Sequence, residues 1–160
     1  MSGKAKSGTL SIVIPARNEA AAIGDVVRKA RTGYPDAEII VVDDGSRDET
    51  ASCAGQAGAA VIRHPESLGN GASVKTGARV ARGDTLVFLD GDGQHDPGDI
   101  GRLLEKLGQG YDMAVGARNS GSHANVGRLF ANGLYNVLAS QLSGREITDL
   151  TSGFRAVRAW

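Results

Sequence analysis

Two aspartates separated by one glycine, Asp90-Gly91-Asp92, stand directly after the apolar run Thr85–Leu89. Carboxylates in this spacing at the end of a buried strand can point at one cation, and oxygen donors suit a hard ion such as Mg²⁺ or Mn²⁺. Such a site leaves coordination places for phosphate oxygens, so the ion would offset the charge of a diphosphate leaving group. Gln94 and His95 follow within reach as further ligands or orienting groups. Asp-Gly pairs also form plain turns. The metal reading is favoured because two other polar clusters follow apolar runs in the same way: Pro15-Ala16-Arg17-Asn18-Glu19 and Asp43-Asp44-Gly45-Ser46. Asp43 or Asp44 is suited to accept from a base imide or a ribose hydroxyl, and only one of the pair is expected to face a ligand. Leu68-Gly69-Asn70-Gly71-Ala72 is a candidate phosphate approach at a helix start. It fails as a dinucleotide fingerprint, because it does not follow the first strand and Val74 stands where the third glycine belongs. Arg118, Arg128 and Arg155 are candidate phosphate clamps, guanidinium being a bidentate donor. His64 and His123 are expected on the surface or in loops, and Cys53 as a small helix residue.

These groups need a scaffold that gathers strand ends. Short apolar runs at Leu10–Ile14, Glu38–Val42, Ala60–Arg63, Thr85–Leu89 and Met113–Val115 alternate with helical spacing. Ile23, Val26, Val27 and Ala30 share one helix face, closed by Gly33 and Pro35. Ser46 and Glu49 have the spacing of a capping box opening a helix to about Ala57. Ala72–Ala81 is expected to be helical. Asp96-Pro97 fits an N-cap and first position, ahead of the stripe Ile100, Leu103, Leu104 and Leu107. A last stripe runs from Val126 to Leu142. The strands are continuously apolar, so both faces should be buried. The expected fold is α/β: a Rossmann-like open, mostly parallel sheet with helices on both faces. Ligands of such sheets bind beyond the carboxyl ends of the strands, where the polar clusters lie.

Composition agrees and excludes alternatives. The 160 residues suit one domain, with 1–8 as a flexible leader and 9–160 as the globular unit. Lys+Arg and Asp+Glu both total 18, which argues against a general nucleic-acid binder. One cysteine rules out an internal disulfide and a cysteine zinc cage. Glycine is enriched, at 23 residues, while aromatics are only 4%, which suits phosphate-bearing ligands better than stacking platforms. The start is basic without an apolar signal core, and no run reaches the length of a membrane span. A cytoplasmic location is expected, with peripheral contact at the inner face of the membrane left open. Residues 147–160 look polar and loop-like, so truncation at the C-terminus is expected. An uncapped sheet or exposed helix stripe would favour a homo-oligomer.

Val13-Ile14-Pro15-Ala16-Arg17-Asn18-Glu19, Val42-Asp43-Asp44-Gly45-Ser46, Phe88-Leu89-Asp90-Gly91-Asp92-Gly93-Gln94-His95 and Ile147-Thr148-Asp149-Leu150-Thr151-Ser152-Gly153-Phe154-Arg155 together resemble family-2 glycosyltransferases of the GT-A fold. The resemblance is to the dolichol-phosphate mannose synthase type, which loads a sugar onto a polyprenyl phosphate. It implies metal ligation by Asp90, Asp92 and Gln94. It implies nucleotide-sugar contacts for Pro15, Arg17, Glu19, Val42, Asp44, Asp90, Gly91 and Arg118, and catalytic roles for Asp92 and for Arg128 beside the diphosphate and the acceptor phosphate. Asn70 stands where a lysine is frequent in the family.

The implied function is metal-dependent transfer of a hexose, with inversion, from a nucleoside diphosphate sugar to a polyprenyl phosphate. A phosphate acceptor is already ionised, so it needs positioning and charge screening rather than a general base. Three alternatives stay open. One is transfer to a soluble saccharide or protein hydroxyl, which needs an added base. Another is a non-catalytic nucleotide-sugar binding module. The third is a phosphatase-type enzyme with Asp90 as nucleophile, which leaves Pro15–Glu19 unexplained.

Overall fold

The computed structural model describes residues 8–116 and 153–159. Strand β1 (Leu10–Ala16) leads through helix α1 (Ile23–Gly33) to β2 (Glu38–Asp43), then through α2 (Thr50–Gln56) to β3 (Ala60–Arg63). Helix α3 (Asn70–Val80) returns the chain to β4 (Thr85–Phe88). A 3-10 turn (Pro97–Asp99), α4 (Ile100–Gly108), β5 (Met113–Val115) and β6 (Arg155–Arg158) follow. The six strands form one sheet in the order β3-β2-β1-β4-β6-β5. The pairs β1–β2, β1–β4 and β2–β3 are parallel, and β6 runs antiparallel to both β4 and β5.

Strands β1, β2 and β4 are buried on both faces because each face has its own helical layer. The edge strands β3 and β5, expected to be buried as well, are partly exposed because each has a neighbour on one side alone. Ile12, Ile14, Ile39, Val41, Val87 and Leu89 pack with Val26 and Val27 of α1 and with Ile100, Leu103 and Leu107 of α4. On the other face, Val13, Ile40, Val42, Leu86 and Phe88 pack with Val74 and Ala78 of α3. Period-2 alternation sorts neighbouring strand residues between these two layers. The α1 stripe has the expected spacing, and the helix stops where the Tyr34 N–H returns to the Ala30 carbonyl ahead of Pro35. At α4, the Asp96 carboxylate accepts from the Gly98 N–H at 2.9 Å and Pro97 opens the 3-10 turn, so the cap acts one turn before the α-helix.

Two expectations need correction. The capping box between Ser46 and Glu49 does not form: α2 begins at Thr50, and the Ser46 hydroxyl is used elsewhere. The C-terminal segment is not all loop, because Arg155–Arg158 is an inner strand of the sheet. Ala156 is fully buried there, between Val87 and Ala114. The stripe from Val126 to Leu142, with Arg118, His123 and Arg128, lies outside the described residues.

After β1 the chain adds β2 and β3 on one side, then crosses to β4 on the other. The carboxyl ends of β1 and β4 therefore flank the topological switch point, where open α/β sheets form their ligand crevice.

Candidate functional site

Beyond β1 the chain turns through Arg17, Asn18 and Glu19. Asn18 adopts a left-handed backbone (φ 55°), held from the neighbouring strand end. Its N–H donates to Ser46 Oγ and its Oδ1 accepts from the Arg47 N–H, both at 2.9 Å. The Glu19 N–H donates to Thr50 Oγ1 at 2.8 Å, and the Ala20 N–H to Asp48 Oδ2 at 3.2 Å. The first polar cluster is thus stapled to the second. Burial, with the negative charges of Asp92 and Asp48, raises the Glu19 pKa above the ordinary carboxylate value.

The two aspartates at the end of β2 are both buried and serve different ends. Asp43 Oδ1 accepts from the Ser46 N–H at 2.9 Å, and its Oδ2 lies 3.2 Å from Arg63 Nε, an ion pair that closes the turn. Asp44 accepts from His64 Nδ1 at 2.8 Å, Ser67 Oγ at 2.7 Å, and the N–H groups of Leu68 and Gly69, each at 2.9 Å. Burial alone would raise its pKa, but hydrogen bonds to the charged form, that from His64 first, hold it well below the usual carboxylate range. A carboxylate offers about four lone-pair sites, and all are used within the protein. Asp44 lines the site yet, in this arrangement, organises residues 64–69 instead of offering a vacant acceptor to a base.

Beyond β4, Gly91 is buried against the end of β1. A Cβ there would sit 3.0 Å from Ala16 Cβ and 3.2 Å from the Pro15 carbonyl, so the absent side chain lets the two strand tails approach. Asp92 Oδ1 accepts from the Gln94 N–H at 2.9 Å, which sets the turn of the loop. Strand β6 then brings Gly153 against Asp90. A side chain at 153 would collide with both carboxylate oxygens of Asp90. Phe154 continues beside His95, their rings stacked at 5.1 Å.

A cavity of about 270 Å³ opens between these segments. Pro15, Arg17, Glu19, Asp44, Asp90, Gly91 and Asp92 line it together, with Ser67 and Gly69 from the loop before α3 and Asn70 and Ser73 from its first turn. Val42 does not join them: it is fully buried in the layer beneath α3. The side chain of Gln94 is exposed and does not line the cavity. Arg155 stands over the Phe88 ring at 5.2 Å and is not in the cavity wall. His64, expected on the surface or in a loop, follows β3 outside regular structure and is buried. The sequence does not single out Ser67 and Ser73, and it assigns no site role to His64 or Gly153. The glycine-rich run at 68–72 is the signal near the two serines, and Gly153 stands in the Ile147–Arg155 motif, which does not reveal its approach to Asp90.

Among the described residues, no three His, Cys, Asp or Glu side chains converge as a metal site. Asp90 and Asp92 nevertheless reach one cavity, beside Glu19. This donor set fits a hard divalent ion that takes its other ligands from phosphate and water.

The glycosyl transferase family 2 model matches residues 11–159. The chain is 32% identical over 160 residues to an undecaprenyl-phosphate 4-deoxy-4-formamido-L-arabinose transferase of Pseudomonas aeruginosa, covering 93% of this chain and 47% of that protein. It is 33% identical over 160 residues to a polyprenol monophosphomannose synthase of Mycolicibacterium smegmatis, covering 92% and 60%. Among solved structures, glucosyl-3-phosphoglycerate synthase from Mycobacterium tuberculosis, in complex with Mn²⁺, UDP-glucose and phosphoglyceric acid, superposes with a TM-score of 0.77 at 28% identity, covering 95% of this chain and 57% of that one. The chain thus spans about half to three-fifths of the length of these proteins. With a mostly parallel GT-A sheet, its polar clusters at one switch point and a family match over nearly its whole length, the chain belongs to glycosyl transferase family 2.

Proposed function

We propose that this chain is the nucleotide-sugar-binding domain of a metal-dependent, inverting glycosyltransferase that moves a hexose from a nucleoside diphosphate sugar to a polyprenyl phosphate. The observation that carries this reading is the convergence of Pro15–Glu19, the start of α3 and Asp90–Asp92 on one cavity at the switch point. The names of the Pseudomonas and Mycolicibacterium relatives support the acceptor, and the manganese and UDP-glucose of the solved relative support the cofactor and donor.

Asp90 and Asp92 would hold Mn²⁺ or Mg²⁺, which supplies charge neutralisation for the diphosphate leaving group. Gly91 keeps this loop against β1, so both carboxylates stay at the crevice that receives the donor. Pro15, Arg17 and Glu19 form the wall next to it, and Gly69 and Asn70 open α3 toward the same space. The N-terminal amides of a helix favour anions such as phosphate. In the reaction, an acceptor phosphate oxygen forms a bond to the anomeric carbon while the bond from that carbon to the diphosphate breaks on the opposite face. No proton has to be removed from an ionised phosphate, so orientation and screening of two anions are the main demands. Arg118 and Arg128, outside the described residues, are proposed as contacts to the diphosphate and the acceptor phosphate. We place this domain in the cytoplasm, with peripheral contact at the inner face of the membrane, where a polyprenyl phosphate acceptor would lie. No helix among the described residues is long and apolar enough to cross one.

A second reading, transfer to a small soluble acceptor, is favoured by the phosphoglyceric acid bound to the solved relative. A transfer assay with UDP- and GDP-hexoses, with and without Mn²⁺, decides between them. Undecaprenyl phosphate in detergent is one acceptor arm and phosphoglyceric acid the other. Product in the lipid arm alone is expected. Product only in the soluble arm replaces the acceptor, and nucleotide binding with no transfer to either leaves a binding module. Asp92→Asn is expected to lower metal-dependent transfer by at least about a hundredfold. Wild-type transfer by that variant would remove the metal assignment.

A further inference from the structure

His64 directly follows β3 and is 7% exposed. Its N–H donates to the Asp43 carbonyl at 2.9 Å, which continues the β2–β3 pairing by one residue and fixes the ring at the ligand edge of the sheet. Nδ1 lies 2.8 Å from Asp44 Oδ1, and Nε2 lies 3.0 Å from Thr76 Oγ1 on α3. An ionised carboxylate only accepts, so the proton of this contact sits on Nδ1. The imidazole therefore ties the β2 end to α3 through the carboxylate that also holds Ser67 Oγ and the amides of Leu68 and Gly69. Ser67 and Gly69 are cavity wall.

We propose that His64 is a positioning residue for nucleotide binding: by donating from Nδ1 it orients Asp44, and Asp44 in turn holds the 67–69 wall of the cavity in its binding shape. The proposal rests on the reading of this cavity as a nucleotide site. A donor to Asp44 and a filler of space are separable chemically. His64→Asn keeps an amide donor near the place of Nδ1. His64→Leu keeps the volume and removes the donor.

The test is titration of the full chain with UDP and with GDP in the presence of Mn²⁺, with hydrogen exchange of the Leu68 and Gly69 amides measured on the same samples. His64→Leu is expected to weaken binding of the preferred nucleotide about tenfold, the scale of a lost hydrogen bond to a charged group. Its Leu68 and Gly69 amides should exchange faster. His64→Asn should stay within about threefold of wild type, with both amides protected. In the transfer assay the loss should appear in KM for the donor, with kcat kept within about twofold. Equal binding by His64→Leu and wild type overturns the proposal, as does an Asn variant no better than the Leu variant. If His64→Leu does not fold, His64→Gln places its amide near Nε2 and leaves Nδ1 without a counterpart. It should weaken binding measurably, and wild-type binding by it overturns the proposal. A wild-type chain that binds neither nucleotide is a different outcome: it removes the functional reading, and this one with it.

Discussion

Asp90 and Gly153 belong to motifs far apart in the chain and touch in the fold. A methyl group at 153 has no room unless the carboxylate moves, and rigid surroundings make overpacking costly. Gly153→Ala is therefore expected to leave a folded chain whose stabilisation by nucleotide no longer depends on Mn²⁺. A thermal-shift series with and without the ion checks this, and a wild-type manganese response would show that Asp90 tolerates the change. Asp44 supplies a prediction in pH. Its folded pKa lies below the ordinary carboxyl value, so the unfolded chain takes up its proton first as acid is added. The contribution is complete above about pH 4 and is lost as pH falls from there toward the depressed folded value. Asp44→Asn should cost about 2–3 kcal/mol at neutral pH and flatten the acid limb of the stability profile. Urea unfolding at neutral pH and near pH 3 measures both. The chemistry-bearing residues were legible at this scale because each follows an apolar run. The duty of each was not: Asp43 and Asp44 are neighbours of one type, and only the surrounding donors distinguish a turn clamp from the anchor of residues 64–69.

The helices show where local preference and packing part. Gly77 in α3 faces β1, and a Cβ there would collide with Val13 and lie 3.3 Å from Val42 Cγ2. Gly→Ala inside a helix gains about 1 kcal/mol from backbone preference. Overpacking a stiff β-branched neighbour costs about 1–3 kcal/mol. Packing should win, and Gly77→Ala should destabilise. Gly55 in α2 is the control: its added Cβ meets only Val61 Cγ2, at an ordinary 3.8 Å, so Gly55→Ala should stabilise by up to about 1 kcal/mol. Denaturant midpoints of the two variants should move in opposite directions. Element positions were well marked wherever apolar periodicity was strong, as in α1 and β4. The exceptions share a cause. Ser46 has the type and spacing of a cap, but Asn18 from another loop takes its hydroxyl. The β6 segment has charged residues at both ends, and its membership of the sheet comes from backbone pairing with β4 and β5.

At the scale of the whole molecule, the proposed donor site joins segments from β1, β2, β4 and α3, so a bound ligand would stabilise the fold as a unit. At a concentration of ~100 times the dissociation constant, binding adds roughly 2.7 kcal/mol. For a domain of this size that is about 5–10 °C in midpoint temperature, the shift sought in the nucleotide and manganese screen. The sequence by itself determined the alternation of strands and helices, the parallel strand ends at which polar residues gather, and the membership of Pro15, Arg17, Glu19, Asp90 and Asp92 in one site. Hydrophobic period and turn chemistry are local properties, and they suffice for that much. Only the tertiary structure decided that Val42 turns into the core, that His64 is buried against Asp44, and that Gly153 returns beside Asp90. Those outcomes depend on contacts between residues distant in the chain. Side-chain hydrogen bonds, packing and close approaches make these contacts, and which residues meet leaves almost no signature in local sequence.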